Sequence, residues 1–166
     1  MEKSNNGQKI IIERVFNVPK EKAWKAWTDP EMIKKWWGPK DFTAPHISLD
    51  LRAGGKFLYS MRGKAGPDQP VRDFWNTGKF MKIVPREKIV SSVSFADEQG
   101  NPVPASHYDM PDQWPMETKS TTIFEETADG KTKLTVREAG IPEEMAEPAR
   151  MGWEQSLDKF QKVLEQ

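Results

Sequence analysis

The chain has 166 residues, no cysteine, and 25 basic against 25 acidic side chains, with no like-charged run longer than two. That length suits one domain that buries its core by packing alone, and the lack of cysteine excludes disulfides, thiolate nucleophiles and cysteine-ligated metal centres. Balanced, dispersed charge leaves no phosphate-tracking stripe, so nucleic acid is not expected as a partner. The polar start Met1–Lys9 lacks an apolar leader core, and no apolar run approaches the ~20 residues of a membrane span. The expectation is a soluble, cytoplasmic protein with no membrane insertion, organised as an N-terminal stub over 1–8 and a single domain over 9–166.

The first predicted element is a strand over Lys9–Val18, rich in β-branched residues and stopped by Pro19, which cannot donate to a ladder. Pro19 then suits a helix start, and Ala23, Trp24, Ala26 and Trp27 follow on helical spacing. Asp29-Pro30 breaks that helix, and a second short one carries Ile33, Trp36 and Trp37 before Gly38-Pro39 ends it. Six β-like runs come next: 42–51, 55–62, 75–84, 88–95, 117–126 and 132–138. Short Gly-, Pro- or Asp-containing turns between several of them predict antiparallel neighbours. Two connections are longer, 63–74 and 96–116, the second containing Pro102, Pro104, Pro111 and Pro115. Finally, Trp153, Leu157, Phe160 and Leu164 step by four, three and four along one face of a long helix that starts near Pro142 or Pro148. One strand, two helices, six strands and a helix describe an α+β fold with helices packed on one sheet.

Several segments in this order carry a resemblance. They are Val18-Pro19, Ala23-Trp24, Asp29-Pro30, Trp36-Trp37-Gly38-Pro39, Asp50-Leu51-Arg52-Ala53-Gly54-Gly55, Gly78-Lys79-Phe80, Ile83-Val84-Pro85, Phe124-Glu125-Glu126, Gly130-Lys131-Thr132 and Gly152-Trp153. Their order and spacing, from about Lys9 to Leu164, resemble the family named after the activator of the heat-shock-protein-90 ATPase, within the START-like superfamily. The resemblance implies a helix-grip fold, in which a curved seven-stranded antiparallel sheet wraps a long C-terminal helix and encloses a cavity. It does not imply one chemistry, because that superfamily holds binders and enzymes alike. The namesake activator has an additional N-terminal domain, whereas only about eight residues stand before the first predicted strand here.

Strand alternation sorts the candidates for such a cavity. Phe57, Tyr59 and Met61 share one face, Ser120, Thr122 and Phe124 share another, and Leu134 and Val136 point together. With Phe80 from the fourth strand and Trp153 and Leu157 from the last helix, they form an expected ligand-binding wall, mainly apolar with sparse hydroxyls. Trp36 and Trp37 are adjacent, so one is expected to be partly exposed at a cavity rim. Trp75 and Trp114, in or beside the long connections, are candidates for a lid.

For chemistry the sequence offers little. His46 and His107 are the only histidines, about sixty positions apart, so no metal site is expected, and no cofactor is implied. His107, Tyr108 and Asp109 form the one cluster that resembles a proton-transfer site. Asp50 and Arg52 beside Gly54-Gly55 read as a tight turn with a local ion pair. Three readings follow: a binder of a small hydrophobic molecule, lipid-like or aromatic; an interaction protein or co-chaperone acting through Trp36, Trp37 and the long 96–116 connection on a chaperone, or self-associating as a homodimer; and a cyclase- or hydrolase-like enzyme using His107, Tyr108 or Asp109.

Overall fold

The computed structural model describes residues 8–166, so the expected stub over 1–8 lies, apart from Gln8, outside the described residues. The elements run β1 (Gln8–Phe16), α1 (Lys20–Thr28), α2 (Pro30–Ile33), β2 (Ile47–Leu49), β3 (Lys56–Lys64), β4 (Val71–Val84), β5 (Lys88–Ala96), β6 (Thr118–Glu126), β7 (Thr132–Ile141) and α3 (Ala146–Leu164). All seven strands form one antiparallel sheet in the order β1-β7-β6-β5-β4-β3-β2. Strands β2 to β7 are a meander joined in sequence, and β1 closes it by pairing with β7. The sheet curves around α3, which makes this a helix-grip α+β fold.

Local sequence explains the main boundaries. In β1, Ile10 and Ile12 are buried while Ile11 is exposed, the alternation of a half-buried strand. Asp29 ends α1 and caps α2, its carboxylate accepting from the Glu31 amide at 2.9 Å, and Pro30 occupies the first helical position where no amide is needed. The Asp50 to Gly55 turn closes with an Arg52–Asp50 ion pair at 2.8 Å.

Three expectations about extent are corrected. The strand expected over 42–51 shrinks to Ile47–Leu49 and an isolated bridge from Thr43 to Arg62, because Pro45 between them has no amide to donate. The long connection expected over 63–74 is half strand and shrinks to 65–70: β3 continues to Lys64 and β4 begins at Val71, with Arg62 paired to Asp73 across the ladder at 2.6 Å. The second helix stops at Ile33, and Trp36 and Trp37 sit in the turn beyond it.

Curvature has an identifiable source in β4. Gly78 faces Phe57 in the ladder, and a Cβ there would lie 1.9 Å from the Ser92 carbonyl oxygen and 2.7 Å from the Phe57 ring. The ring therefore lies flat over the glycine backbone, and a register shift between Phe80 and Lys82 adds a bulge two residues later. Gly78 and the bulge together bend the strand towards α3.

The packed core lies beneath the C-terminal half of α3, whose Leu157, Phe160, Val163 and Leu164 are buried against the sheet and α1. Arg14 on β1 ties the same helix down through Glu154 at 2.7 Å and Asp158 at 2.8 Å.

Gly78→Ala is expected to destabilise the protein by about 1–3 kcal/mol or more, because the added methyl meets backbone that cannot give way. Gly66→Ala, where the nearest atom is a flexible Gln69 carbon at 3.6 Å, should stay within about 0.5 kcal/mol of the parent. Urea unfolding of both variants beside the parent measures the contrast.

Candidate functional site

The N-terminal half of α3 touches the sheet at β1 and β7 and stands off the strands beyond them. Between the helix and those strands lies a cavity of about 490 Å³, partly open to solvent. Its floor alternates down each strand: Phe57, Tyr59 and Met61 from β3; Phe74, Asn76 and Phe80 from β4; Ile89, Ser91 and Val93 from β5; Ser120 and Thr122 from β6; Glu138 from β7. Trp153, Ala149 and Ser156 of α3 form the roof, with Trp27 from α1, and Trp37 and Phe42 close one side. Met110 and Trp114 reach in from the long 97–117 connection.

Tryptophans hold the roof in place. Trp27 and Trp153 stack with rings nearly parallel, 5.9 Å apart, and Trp37 meets both Trp153 and Tyr59 edge-on at 5.8 and 4.9 Å. The rim segment is fastened to α3 independently. Lys159 donates to the carbonyls of Pro39 at 3.1 Å and Phe42 at 3.0 Å, while the Lys40 amide donates to the Gln155 side chain at 3.0 Å. Partial burial pushes the Lys159 amine below the usual lysine range, against the opposing field of Asp41.

Of the residues expected to form the wall, Phe57, Tyr59, Met61, Phe80, Ser120, Thr122 and Trp153 line the cavity. Phe124 and Leu157 do not. Phe124 shares the face of Ser120 and Thr122 but lies further along β6, where the rings of Trp24 and Trp27 cover it at 5.4 and 6.0 Å; Leu157 is completely buried in the core. Trp37 and Trp114 border the cavity, and Trp114 rests on Phe95 at 5.3 Å.

The expectation that Trp36 sits at the rim is corrected. It is 1% exposed, its ring packs on Trp27 at 4.6 Å and Phe160 at 5.0 Å, and its indole N–H donates to the Ala26 carbonyl at 2.9 Å. Trp75 is not a lid either. Phe74 and Asn76 point into the cavity, so Trp75 points away from it, against His46 at 5.3 Å.

The His107, Tyr108 and Asp109 cluster does not reach the cavity. His107 and Asp109 are exposed, while Tyr108 is buried with its hydroxyl donating to the Ala96 carbonyl and accepting from the Trp75 amide. Arg72 lies over the Tyr108 ring at 5.0 Å and pairs with Asp109 at 3.5 Å. The cluster anchors the long connection to the end of the sheet.

Glu138 is the cavity residue that the sequence reading passed over. Its Oε1 accepts from the Trp153 indole N–H at 3.2 Å, whereas its Oε2 is buried with no hydrogen-bond partner among the described residues. Burial pushes its carboxyl up to about 7, with the Ser120 hydroxyl and the Trp153 N–H holding it back only in part. Glu138 faces Ser120 in the ladder, and Ser120 faces Ser91, so a polar row crosses an otherwise greasy floor. At the far side, burial raises the Tyr59 phenol well above its ordinary value, which keeps it a neutral hydroxyl.

A carboxyl raised from 4.5 to about 7 in the folded chain binds a proton there that the unfolded chain has already released. Folding stability therefore falls as pH rises between those values and levels off above them. Glu138→Gln removes the effect, so its stability relative to the parent should rise by a few kcal/mol from pH 5 to pH 8. Denaturant unfolding at the two pH values checks this, and parallel pH dependence in parent and variant would contradict it.

Among the described residues no helix is long and apolar enough to cross a membrane. Comparison with solved structures places the fold among bacterial proteins. A protein from Arthrobacter aurescens is 26% identical, with 99% of this chain and 90% of that one covered and a TM-score of 0.74. One from Nitrosomonas europaea is 20% identical over 99% and 97% at a TM-score of 0.71. The AHSA1 protein from Silicibacter pomeroyi is 19% identical over 95% and 98% at 0.72. No curated protein matches the chain in sequence. The family model described as Activator of Hsp90 ATPase homolog 1-like protein matches residues 17–165, nearly the whole helix-grip architecture from the end of β1 to the end of α3, and the chain belongs to that family.

Proposed function

We propose that this protein binds a small hydrophobic molecule, lipid-like or aromatic, in the cavity between the sheet and α3. The observation that carries the reading is the cavity itself: about 490 Å³, walled by aromatic, aliphatic and methionine side chains, with a few polar groups on one side. That volume falls within the ~300–1,000 Å³ of small-molecule sites, where apolar walls supply affinity and sparse polar groups supply orientation. Methionines such as Met61 and Met110 can re-pack around differently shaped guests.

Neither rival reading gains a comparable observation. A proton-transfer role for His107, Tyr108 and Asp109 needs access to a bound substrate, and these side chains lie outside the cavity with the Tyr108 hydroxyl committed to backbone. A chaperone-binding role through Trp36 and Trp37 needs an exposed aromatic surface. Trp36 is in the core and Trp37 faces Tyr59 and Trp153.

Four tryptophans, Trp27, Trp37, Trp114 and Trp153, border the cavity, so an occupant should change the intrinsic fluorescence. A ligand at about a hundred times its Kd should add ~2.7 kcal/mol to stability and raise the melting temperature by several degrees. A panel of fatty acids, sterols and fused-ring aromatics, followed by fluorescence and thermal shift, tests the reading. Val93→Phe places a ring in the cavity and should weaken any panel hit at least tenfold, about 1.4 kcal/mol, without lowering the melting temperature of the free protein. No shift with any member of the panel would overturn the reading.

A further inference from the structure

The cavity is not uniformly greasy: among the described residues its one carboxyl group stands at the end of a row of hydroxyls, with one oxygen that accepts from no protein group. Resting on the binding reading above, we propose that the ligand is an amphiphilic amine, an apolar or aromatic body carrying one basic nitrogen that seats on Glu138.

The argument starts from the second oxygen of that carboxylate. Trp153 donates to Oε1 at 3.2 Å; the Ser120 hydroxyl lies near enough to favour the ionised carboxyl but makes no hydrogen bond of ordinary geometry to Oε2, which is buried and accepts from nothing among the described residues. An unpartnered buried acceptor is destabilising, more so when it carries charge, and native proteins rarely retain one without a use. An N–H donor from a guest would supply the missing partner. A protonated amine would supply it with the opposite charge as well, making a short charge-assisted contact.

The surroundings favour a cation over an anion. Glu138 on β7 lies between Ile10 on β1 and Ser120 on β6, and Trp153 of α3 covers it. None of these is cationic. The other titratable groups lining the cavity are Tyr59, a neutral phenol, and Lys64, exposed at the far end of β3. Arg14 and Arg150 beside α3 are committed elsewhere, Arg14 to Glu154 and Asp158, Arg150 to Glu147 and the Ile11 carbonyl. An incoming cation is therefore the counter-charge that this carboxyl lacks. An incoming carboxylate would face a like charge with no compensation.

Aromatic rings add to the same preference. Trp153 reaches the carboxyl group with its indole N–H, and Trp27 and Trp37, which contact Trp153, also border the cavity. Indole faces attract ammonium groups through the ring quadrupole. Ser120 and Ser91, in line with Glu138 across the sheet, offer acceptors for a second N–H or for a hydroxyl along the guest.

The pairing also couples binding to protons. Because burial holds the Glu138 carboxyl up to about 7, an amine arriving below that pH displaces the proton of the carboxyl, and above it meets a carboxylate already formed. Affinity for the amine should therefore rise from pH 6 to pH 8, while affinity for an uncharged analogue should stay flat.

Three naphthalene probes of similar shape separate the possibilities: 1-(aminomethyl)naphthalene, 1-ethylnaphthalene and 1-naphthylacetate, each titrated against the full chain by calorimetry at pH 7.5. The expected result is that the amine binds roughly tenfold or more tightly than the hydrocarbon and the anion least of all. Glu138→Gln should bring the amine to the level of the hydrocarbon, and unchanged hydrocarbon affinity in that variant shows that the cavity is intact. Equal binding of all three probes, or an amine affinity unmoved by Glu138→Gln, overturns the amine assignment and leaves the cavity reading standing. Preference for the anion overturns it too and points to a protonated Glu138 donating to an acceptor. If no probe binds, the cavity reading fails and the amine assignment falls with it.

Discussion

Contact between α3 and the sheet is uneven along the helix, and most of the molecule's character follows from that. From Leu157 onward the helix carries aliphatic and phenyl side chains that pack directly on the sheet and α1, with Phe160 set edge-on to Phe16, Trp27 and Trp36. One turn earlier, Trp153 packs its ring on Trp27 and Trp37 and meets the sheet only through its N–H contact with Glu138. Stacked indoles are stiff and wide, so they hold the N-terminal half of α3 away from β4, β5 and β6 where smaller side chains would let it settle. Protein interiors close to crystal density unless something prevents it. Here the tryptophan props, together with the Lys159 and Gln155 contacts to the rim, resist that closure.

The sheet contributes the complementary half of the same constraint. A flat sheet would leave its far strands remote from a single helix, and a strongly bent one would collapse onto it. Gly78, with Phe57 lying over it, and the bulge at Phe80/Lys82 set an intermediate curvature. Phe57 and Phe80 pack against each other at 5.4 Å and form the cavity floor at that bend. The residues that shape the strand are thus the residues that a guest would touch.

Much of this was legible in the sequence, for reasons that differ residue by residue. Period-two alternation put Phe57, Tyr59, Met61, Ser120 and Thr122 on one face because side-chain direction along a strand is a local property. The same counting included Phe124 correctly on that face, but depth along a curved sheet is tertiary, and Phe124 lies where α1 covers it. The rule that adjacent helical residues cannot both turn inward did separate Trp36 from Trp37, without saying which. The helix ends at Ile33, and the following turn sends Trp36 into the core, where Ala26 satisfies its N–H, and Trp37 to the cavity. Leu134 and Val136 already pointed to Glu138 as the next inward residue. Nothing local distinguishes a covered carboxyl from one at the solvent end of a strand, and the partner that covers it, Trp153, belongs to another element. The loop cluster His107, Tyr108 and Asp109 misled in the opposite direction, since residues able to move protons were placed by the need to anchor a long connection.

Glu138 also decides how selective such a cavity can be. Apolar walls discriminate weakly, since a methylene more or less alters binding by only ~1–3 kcal/mol, and a methionine-lined wall adapts further. A buried polar group discriminates far more sharply, because a guest that fails to satisfy it leaves the desolvation penalty in place. Among the described residues no protein group donates to Oε2, so its desolvation penalty falls on any guest that excludes solvent without donating to it. A hydrocarbon incurs it, an anion worsens it, and a donor relieves it. The shape of the cavity therefore sets which bodies fit, and one carboxyl oxygen on β7 sets which of them bind well.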